Sequence, residues 1–108
     1  MKVYLAGPMS GIEHFNAPAF MAAERDLIAQ GHEVYNPVSY IGLDACMAGR
    51  GEETNLQGFD RGKALLSGLV YICEKAEAIA LLPGWANSSG ATAEYAVAMA
   101  LKLRVIYL

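Results

Sequence analysis

Glu94 is the residue whose setting in this sequence points most directly to chemistry. It lies near the start of a helical stretch, residues 90–96, in which its neighbours are small and apolar. The segment after it, residues 96–101, is apolar on nearly every side, so a carboxylate on this helix is expected to be buried. A buried carboxylate beside a ligand loop can act as a nucleophile. The alternative is that an acid in the first turns of a helix only complements the helix dipole.

Two loops rich in small residues accompany this glutamate. They are residues 7–11, Gly-Pro-Met-Ser-Gly, and residues 83–90, Pro-Gly-Trp-Ala-Asn-Ser-Ser-Gly. Small side chains let a ligand approach the backbone, and the second loop leads into a helix N-terminus, where free N–H groups favour an anion. Neither loop has the glycines of a dinucleotide site or the Gly-Lys-Ser/Thr of a P-loop, which disfavours hydride transfer and ATP hydrolysis. The alternative is that both loops only make tight turns.

The elements that position these loops can be predicted from hydrophobic patterning. Three short runs, residues 3–6, 33–35 and 78–82, are followed by Gly-Pro, Asn-Pro and Pro-Gly and predict strands. Residues 104–108 predict a closing strand. Three segments between them have helical spacing and predict helices.

The first helix is expected over residues 17–30, with Asn16 as its N-cap and Gly31 after its end. Its apolar stripe is Phe20, Ala23, Leu27 and Ile28. Asp60 opens the second helix, in which Gly68 costs about 1 kcal/mol relative to alanine. Ser88 or Ser89 caps the third, which runs to about residue 102. Residues 38–59 form a long connection with four glycines, typical of a functional lid or a poorly ordered loop.

The resulting order is β-α-β-α-β-α-β. Right-handed crossovers give an α/β fold with a three-layer, Rossmann-like or flavodoxin-like parallel sheet, strand order 2-1-3-4, as one domain over residues 1–108. Ligands of such sheets bind beyond the carboxyl ends of the strands, where the strand order reverses. That point lies between the first and third strands, which are followed by the two loops described above.

Composition limits the function classes. The 108 residues are 55% hydrophobic and 18% charged, with a net charge of −3, which excludes disorder and disfavours binding to duplex nucleic acid. No run of about 18 apolar residues predicts a membrane span, and the start of the chain does not read as a signal peptide, so a cytoplasmic protein is expected. Cys46 and Cys73 form no metal motif. The hydrophobic surplus predicts a surface for self-association, as a homodimer or higher homo-oligomer.

Several motifs in this order resemble a known family. They are Tyr4-Leu5-Ala6-Gly7-Pro8-Met9-Ser10-Gly11, Phe15-Asn16, Gly31-His32-Glu33-Val34, Asn36-Pro37, Leu81-Leu82-Pro83-Gly84-Trp85 and Ser89-Gly90-Ala91-x-x-Glu94. The set resembles a branch of short phage and bacterial proteins in the nucleoside 2-deoxyribosyltransferase-like superfamily, related to 2'-deoxynucleoside 5'-monophosphate N-glycosidases. The resemblance covers the chain except residues 41–76.

The resemblance implies cleavage or transfer at the N-glycosidic bond of a (deoxy)nucleoside or its 5'-monophosphate, in the cytosol of a bacterium or a phage-infected host, without a metal or an organic cofactor. Glu94 matches the family's nucleophile, and Tyr4 the tyrosine that orients it. The alternative for Tyr4 is a plain core residue. Ser88, Ser89 and Gly90 match the segment that holds a 5'-phosphate, with Ser10 and Gly11 across the crevice. The full set of expected substrate-binding residues is Gly7, Pro8, Met9, Ser10, Gly11, Gly84, Trp85, Ser88, Ser89 and Gly90.

One position departs from the family pattern. Relatives carry an acid in the second helix, which protonates the leaving base, and here that position is Leu69. Asp60 is the expected substitute, with Glu74 as a second candidate, because cleavage of the C1'–N bond needs proton donation to the base. The departure leaves open a non-catalytic nucleotide-binding or sensor module on the same fold. A purely structural oligomerisation domain is the third alternative.

Overall fold

The strands form where the sequence predicts them. The computed structural model describes residues 1–54 and 56–108 fully, and residue 55 only by its backbone. Its strands are β1 (Lys2–Ala6), β2 (Glu33–Tyr35), β3 (Ala78–Leu81) and β4 (Arg104–Tyr107). All pair in parallel in the order β2-β1-β3-β4, with Tyr4 opposite Tyr35 on one side and Ile79 on the other. The expected α/β class, parallel sheet and strand order are confirmed.

Three longer helices cover the two faces of the sheet: α1 (Ala17–Ala29), α4 (Arg61–Glu74) and α5 (Ser89–Ala100). Because successive strand residues point to opposite faces, β1 contributes to two cores. Val3 and Leu5 pack with Phe20 and Leu27 of α1. On the other face, Tyr4 and Ala6 pack with residues of α4 and α5, among them Ile72, Ala91 and Ala98. The result is a three-layer, Rossmann-like or flavodoxin-like arrangement.

Two details of α1 differ from the prediction. Ile28 is 53% exposed, because it lies about 100° around the helix from Leu27, which is buried in the core. Asn16 occupies the N-cap position in a left-handed conformation, with φ 61°, and makes no side-chain cap. Its Nδ2 donates to the carbonyl oxygen of Pro8 at 3.0 Å instead. Asn16 therefore ties the loop after β1 to the start of α1.

The long connection between β2 and α4 is more regular than expected. It contains α2 (Val38–Ile41), α3 (Leu43–Ala48) and a 3₁₀ turn over Glu53–Asn55. Gly42, with φ 99°, separates the two short helices. Val38 and Cys46 are fully buried against the α1 side of the sheet. The expectation of a structureless loop is wrong here, because these residues anchor the segment to the core.

The ends of α5 and α4 set the positions of the site residues. The Ser88 hydroxyl accepts a hydrogen bond from the Ala91 N–H at 3.2 Å, which confirms it as the cap of α5. Asp60 caps α4 in the same way, accepting from the Lys63 N–H at 3.0 Å. Among the described residues, no helix is long and apolar enough to span a membrane.

Candidate active site

A cavity of about 280 Å³ opens at the carboxyl ends of β1 and β3. Residues of the loops that follow both strands line it, together with the starts of α4 and α5 and parts of the β2–α4 connection. Its volume is near the lower end of the range for small-molecule sites, about 300–1,000 Å³. The site therefore lies at the strand-order reversal where parallel α/β sheets bind ligands.

Glu94 lies in the wall of this cavity on the second turn of α5. Its residue surface is only 8% exposed, and its Oε2 accepts a hydrogen bond from the hydroxyl of Tyr4. Burial raises the pKa of Glu94 from 4.5 to about 7, while the hydrogen bond from Tyr4 lowers it and so limits the rise. The carboxyl group can therefore change its protonation state near neutral pH, as catalytic carboxyl groups often do.

Tyr4 is held rigidly by its surroundings. It belongs to the middle of β1, is 1% exposed, and stacks on Tyr35 with ring centroids 5.3 Å apart. Burial, followed by the nearby Glu94, raises the pKa of Tyr4 well above its usual value of 10. The hydroxyl consequently stays protonated and acts as a hydrogen-bond donor to the carboxylate.

The two oxygens of Glu94 have different surroundings. Oε2 is bound to Tyr4. Oε1 makes no hydrogen bond to any residue that the structure describes, although Glu94 lines the cavity. An unpaired carboxylate oxygen on a cavity wall is available to a ligand. We refer to Tyr4 and Glu94 together as the Glu94 wall.

A polar network forms another part of the cavity lining, and we refer to Ser10, Glu53, Arg61 and Ser89 as the Arg61 wall. Glu53 accepts from the Ser10 hydroxyl and from Arg61, whose Nε lies 3.2 Å from Glu53 Oε1. Arg61 Nη1 donates to Ser89 Oγ at 3.4 Å. The network joins the loop after β1, the β2–α4 connection and the start of α5.

The structure places most of the predicted site residues around this cavity. Those that line it are Tyr4, Gly7, Pro8, Met9, Ser10, Ser88, Ser89, Gly90 and Glu94. Gly11, Gly84, Trp85 and Asp60 are not among the lining residues. Gly11 donates its N–H to the Gly51 carbonyl at 2.8 Å, and Trp85 packs on Tyr95 with ring centroids 4.7 Å apart. Gly84, with φ 86°, forms the turn before Trp85.

The acids expected to replace the family's leaving-group acid lie elsewhere. Asp60 is exposed and holds the first turn of α4 through its hydrogen bond to Lys63. Glu74 is exposed at the far end of the same helix. Leu69 packs in the apolar core on the Tyr4 side of the sheet. Among the described residues, Glu53 and Glu94 are the acids that line the cavity.

Sequence reasoning missed Glu53 and Arg61. Both lie in the region that the family motifs do not cover, and their separation of eight residues across a turn does not show that they pair. The sequence feature that could have pointed to Arg61 is its position directly after the helix cap Asp60, at the start of a helix. Among the described residues, no three His, Cys, Asp or Glu side chains come together in a way that could hold a metal ion.

Nearly the whole chain matches the model of a known family. Residues 1–107 match the model of a family described as a domain of unknown function, DUF4406. The match spans nearly the whole chain, so the chain belongs to this family. No significant match is found among curated proteins or among solved structures.

Proposed function

We propose that the protein cleaves or transfers at the N-glycosidic bond of a deoxynucleoside or its 5'-monophosphate, with Glu94 as the nucleophile. The observation that carries the proposal is a buried carboxyl group that lines the cavity and is oriented by the Tyr4 hydroxyl. The motifs around Glu94 and Tyr4, which resemble those of nucleoside 2-deoxyribosyltransferase-like enzymes, select this chemistry among the reactions open to a carboxylate nucleophile.

The proposed reaction has two steps. In the first, a Glu94 oxygen forms a bond to C1' of the sugar while the C1'–N bond breaks, and the electron pair of that bond leaves with the base, which takes up a proton from water. In the second, water or another base attacks C1' and releases Glu94 from the ester. Two displacements at C1' retain its configuration. Hydrolysis and transfer differ only in the acceptor of the sugar.

Nucleophilic attack requires the ionised form of Glu94. Because its pKa is raised to about 7, the carboxylate fraction increases as the pH rises through neutrality. The Tyr4 hydroxyl stabilises this form by donating a hydrogen bond. We expect the rate to rise with pH to a plateau above about pH 8, where the carboxyl group is ionised.

The N-terminal end of α5, about one turn before Glu94, supports binding of a polar substrate. Ser88, Ser89 and Gly90 lie at the N-terminus of α5, where unpaired N–H groups favour anions. Arg61 adds a guanidinium group beside Ser89. These groups suit the 5'-end of a nucleotide, and no metal or organic cofactor is part of the proposal.

The proposal is tested by release of free base. Purified protein is incubated with a panel of deoxynucleosides, ribonucleosides and their 5'-monophosphates, and the base is quantified by chromatography. We expect release from at least one deoxy substrate, and its loss in Glu94→Gln. Glu74→Gln is the matched control, because Glu74 is exposed on α4 away from the cavity. Base release by Glu94→Gln at the wild-type rate would contradict the mechanism.

A second candidate function is nucleotide binding without catalysis. Leu69, at the position of the acid in nucleoside 2-deoxyribosyltransferase-like enzymes, packs against the core, and Asp60 caps α4. Neither residue can then be the acid that those enzymes use to protonate the leaving base. Calorimetric binding of a nucleotide, with no base released after prolonged incubation at high protein concentration, would favour this function.

Self-association and a cytosolic location complete the proposal. Leu66 and Val70 are 60% and 44% exposed and lie four residues apart on one face of α4. A second copy of this chain is the occupant that we propose for this face. Analytical ultracentrifugation of the wild type and of Leu66→Asp tests it: we expect a dimer for the wild type and a shift to monomer in the variant. A wild type that sediments as a monomer would contradict it.

A further inference from the structure

Gly68 lies at a contact that the sequence does not explain. It is a buried glycine inside α4, where glycine is less favourable than alanine by about 1 kcal/mol. A Cβ atom at this position would lie 2.5 Å from Tyr4 Oη, 2.9 Å from Glu94 Oε2 and 3.0 Å from Tyr4 Cζ. No side chain fits there without moving the hydrogen-bonded pair. The backbone of α4 therefore packs directly on the Tyr4–Glu94 contact.

The other glycine of this helix provides a contrast. At Gly62, near the start of α4, a Cβ atom would meet only Asp60 Oδ1, at 3.2 Å, within 4 Å. Gly62 is also exposed to solvent. Gly68 therefore approaches the Glu94 carboxylate closely, whereas Gly62, on the same helix, does not.

We propose that Gly68 is a positioning residue: by carrying no side chain, it lets α4 close over the Tyr4–Glu94 hydrogen bond, which holds Oε2 and directs Oε1 toward the cavity. Oε1 is then the atom that attacks C1'. The reactive role of Oε1 rests on the proposed function, whereas the positioning of the carboxyl group does not. Tyr4 and Glu94 are the groups that touch the contact, and Gly68 acts through them.

The first test needs no substrate. The side-chain carboxyl carbons of glutamate are labelled with ¹³C and titrated by NMR, and the Glu94 signal is assigned by its absence in Glu94→Gln. In Gly68→Ala, the added methyl group separates the carboxylate from its donor and replaces a polar contact by an apolar one. Both changes disfavour the ionised form. We expect the titration midpoint of Glu94 to move upward in Gly68→Ala and in Tyr4→Phe, and to stay at its wild-type value in Gly62→Ala.

The second test uses the activity. We expect kcat of Gly68→Ala to fall about tenfold or more, with KM within about twofold of the wild type, because binding groups are untouched. The acid limb of its pH profile moves upward, which a loss of folding stability alone would not cause. In the Tyr4→Phe background the hydroxyl group is gone, so we expect the further loss from Gly68→Ala to be less than about threefold.

Two results would overturn the inference. One is a titration midpoint for Glu94 in Gly68→Ala that equals the wild-type midpoint. The other is an activity loss in Tyr4→Phe/Gly68→Ala that equals the product of the losses in the two single variants. If Gly68→Ala alone does not fold, the titration of Tyr4→Phe decides the inference, and a wild-type midpoint for Glu94 in that variant would overturn the role of the hydroxyl contact. If no substrate is cleaved, the proposed function fails, whereas the titration still decides the role of Gly68.

Discussion

The two walls of the cavity are built differently. Tyr4 and Glu94, which form the Glu94 wall, lie inside a strand and a long helix and are buried, as is Gly68 of α4, which packs against them. The Arg61 wall takes its residues from loops and helix starts, and the side chains of Arg61 and Glu53 are 60% and 22% exposed. Both walls depend on a carboxylate that is hydrogen-bonded to a hydroxyl group, Tyr4 with Glu94 and Ser10 with Glu53.

The difference in burial assigns different tasks to the two carboxylates. At Glu94, removal from water disfavours the charge and raises the pKa to about 7, which couples the group to proton chemistry. At Glu53, an exposed guanidinium partner and solvent screen the charge, and ion pairs of this kind contribute about 0–1 kcal/mol. The Glu94 wall is therefore suited to a chemical step and the Arg61 wall to adjustable recognition.

We expect the largest effect from Glu94→Gln, which should abolish base release and at the same time stabilise the folded protein at high pH. Loss of the nucleophile should reduce base release by at least about 10³-fold. The same substitution removes a buried charge. Because the folded-state pKa is raised from 4.5 to about 7, wild-type stability is highest below the lower value and falls as the pH rises through the upper one.

A shift of this size corresponds to about 3 kcal/mol, so Glu94→Gln should unfold at higher denaturant than the wild type above pH 8 and at a similar concentration below pH 5. Urea unfolding at the two pH values measures this. A variant with the same pH dependence as the wild type would show that Glu94 is not the buried titrating group.

Tyr4→Phe should have the next largest effect on the rate, because it removes the hydroxyl group that donates to Glu94 and leaves the rest of the Glu94 wall in place. Loss of a hydrogen bond to a charged group costs about 1.5–3 kcal/mol, or about 10- to 100-fold in rate. The pKa of Glu94 should rise further, so the deficit should be larger at pH 6 than at pH 9. Rate profiles across this range provide the measurement, and a deficit independent of pH would argue against an orienting role for the hydroxyl.

Arg61→Ala tests the other side of the comparison. Because Arg61 is exposed and lies on the binding side, we expect KM to rise about tenfold while kcat changes less than about threefold. The rise should be greater for a 5'-monophosphate than for the nucleoside. Lys63→Ala, an exposed cation in the same helix turn, serves as the control. A fall in kcat for Arg61→Ala as large as that for Tyr4→Phe would contradict the assignment of binding to the Arg61 wall and of the chemical step to the Glu94 wall.

The smallest effect is expected for Asp60→Ala. Its carboxylate caps α4, so removing it should lower the free energy of unfolding by about 1 kcal/mol. Activity per folded molecule should remain within about twofold of the wild type. Thermal unfolding and kinetics on the same preparation check both statements. A tenfold loss of activity would restore Asp60 as a catalytic residue, as the sequence predicts.

The fold was predictable because its signals are local. The first three strands are short runs followed within two residues by Gly or Pro, and Ser88 and Asp60 mark the starts of α5 and α4 by capping chemistry. The short helices α2 and α3 were not predictable, since four and six residues are too few to display a helical period.

The site was predictable where residues follow a strand end or a helix start. Glu94, Tyr4 and the residues after β1 and β3 converge for that reason. The contact between Glu53 and Arg61 depends on how the β2–α4 connection folds back, which no sequence spacing encodes. Gly68 was visible only as an unfavourable residue in a helix, and its cause is a contact with a side chain 26 positions away, Glu94.

Trapping the sugar on Glu94 would test directly whether this residue is the nucleophile. The reagent is a substrate that the protein cleaves, prepared with fluorine at the 2-position of the sugar to slow the second step. The protein is mixed with it, and the mixture is quenched in acid and digested for mass spectrometry. We expect a peptide that contains Glu94 and carries the mass of the sugar, absent in Glu94→Gln and present in Glu74→Gln. Release of base with no sugar on Glu94, and with Glu94→Gln as active as the wild type, would contradict it.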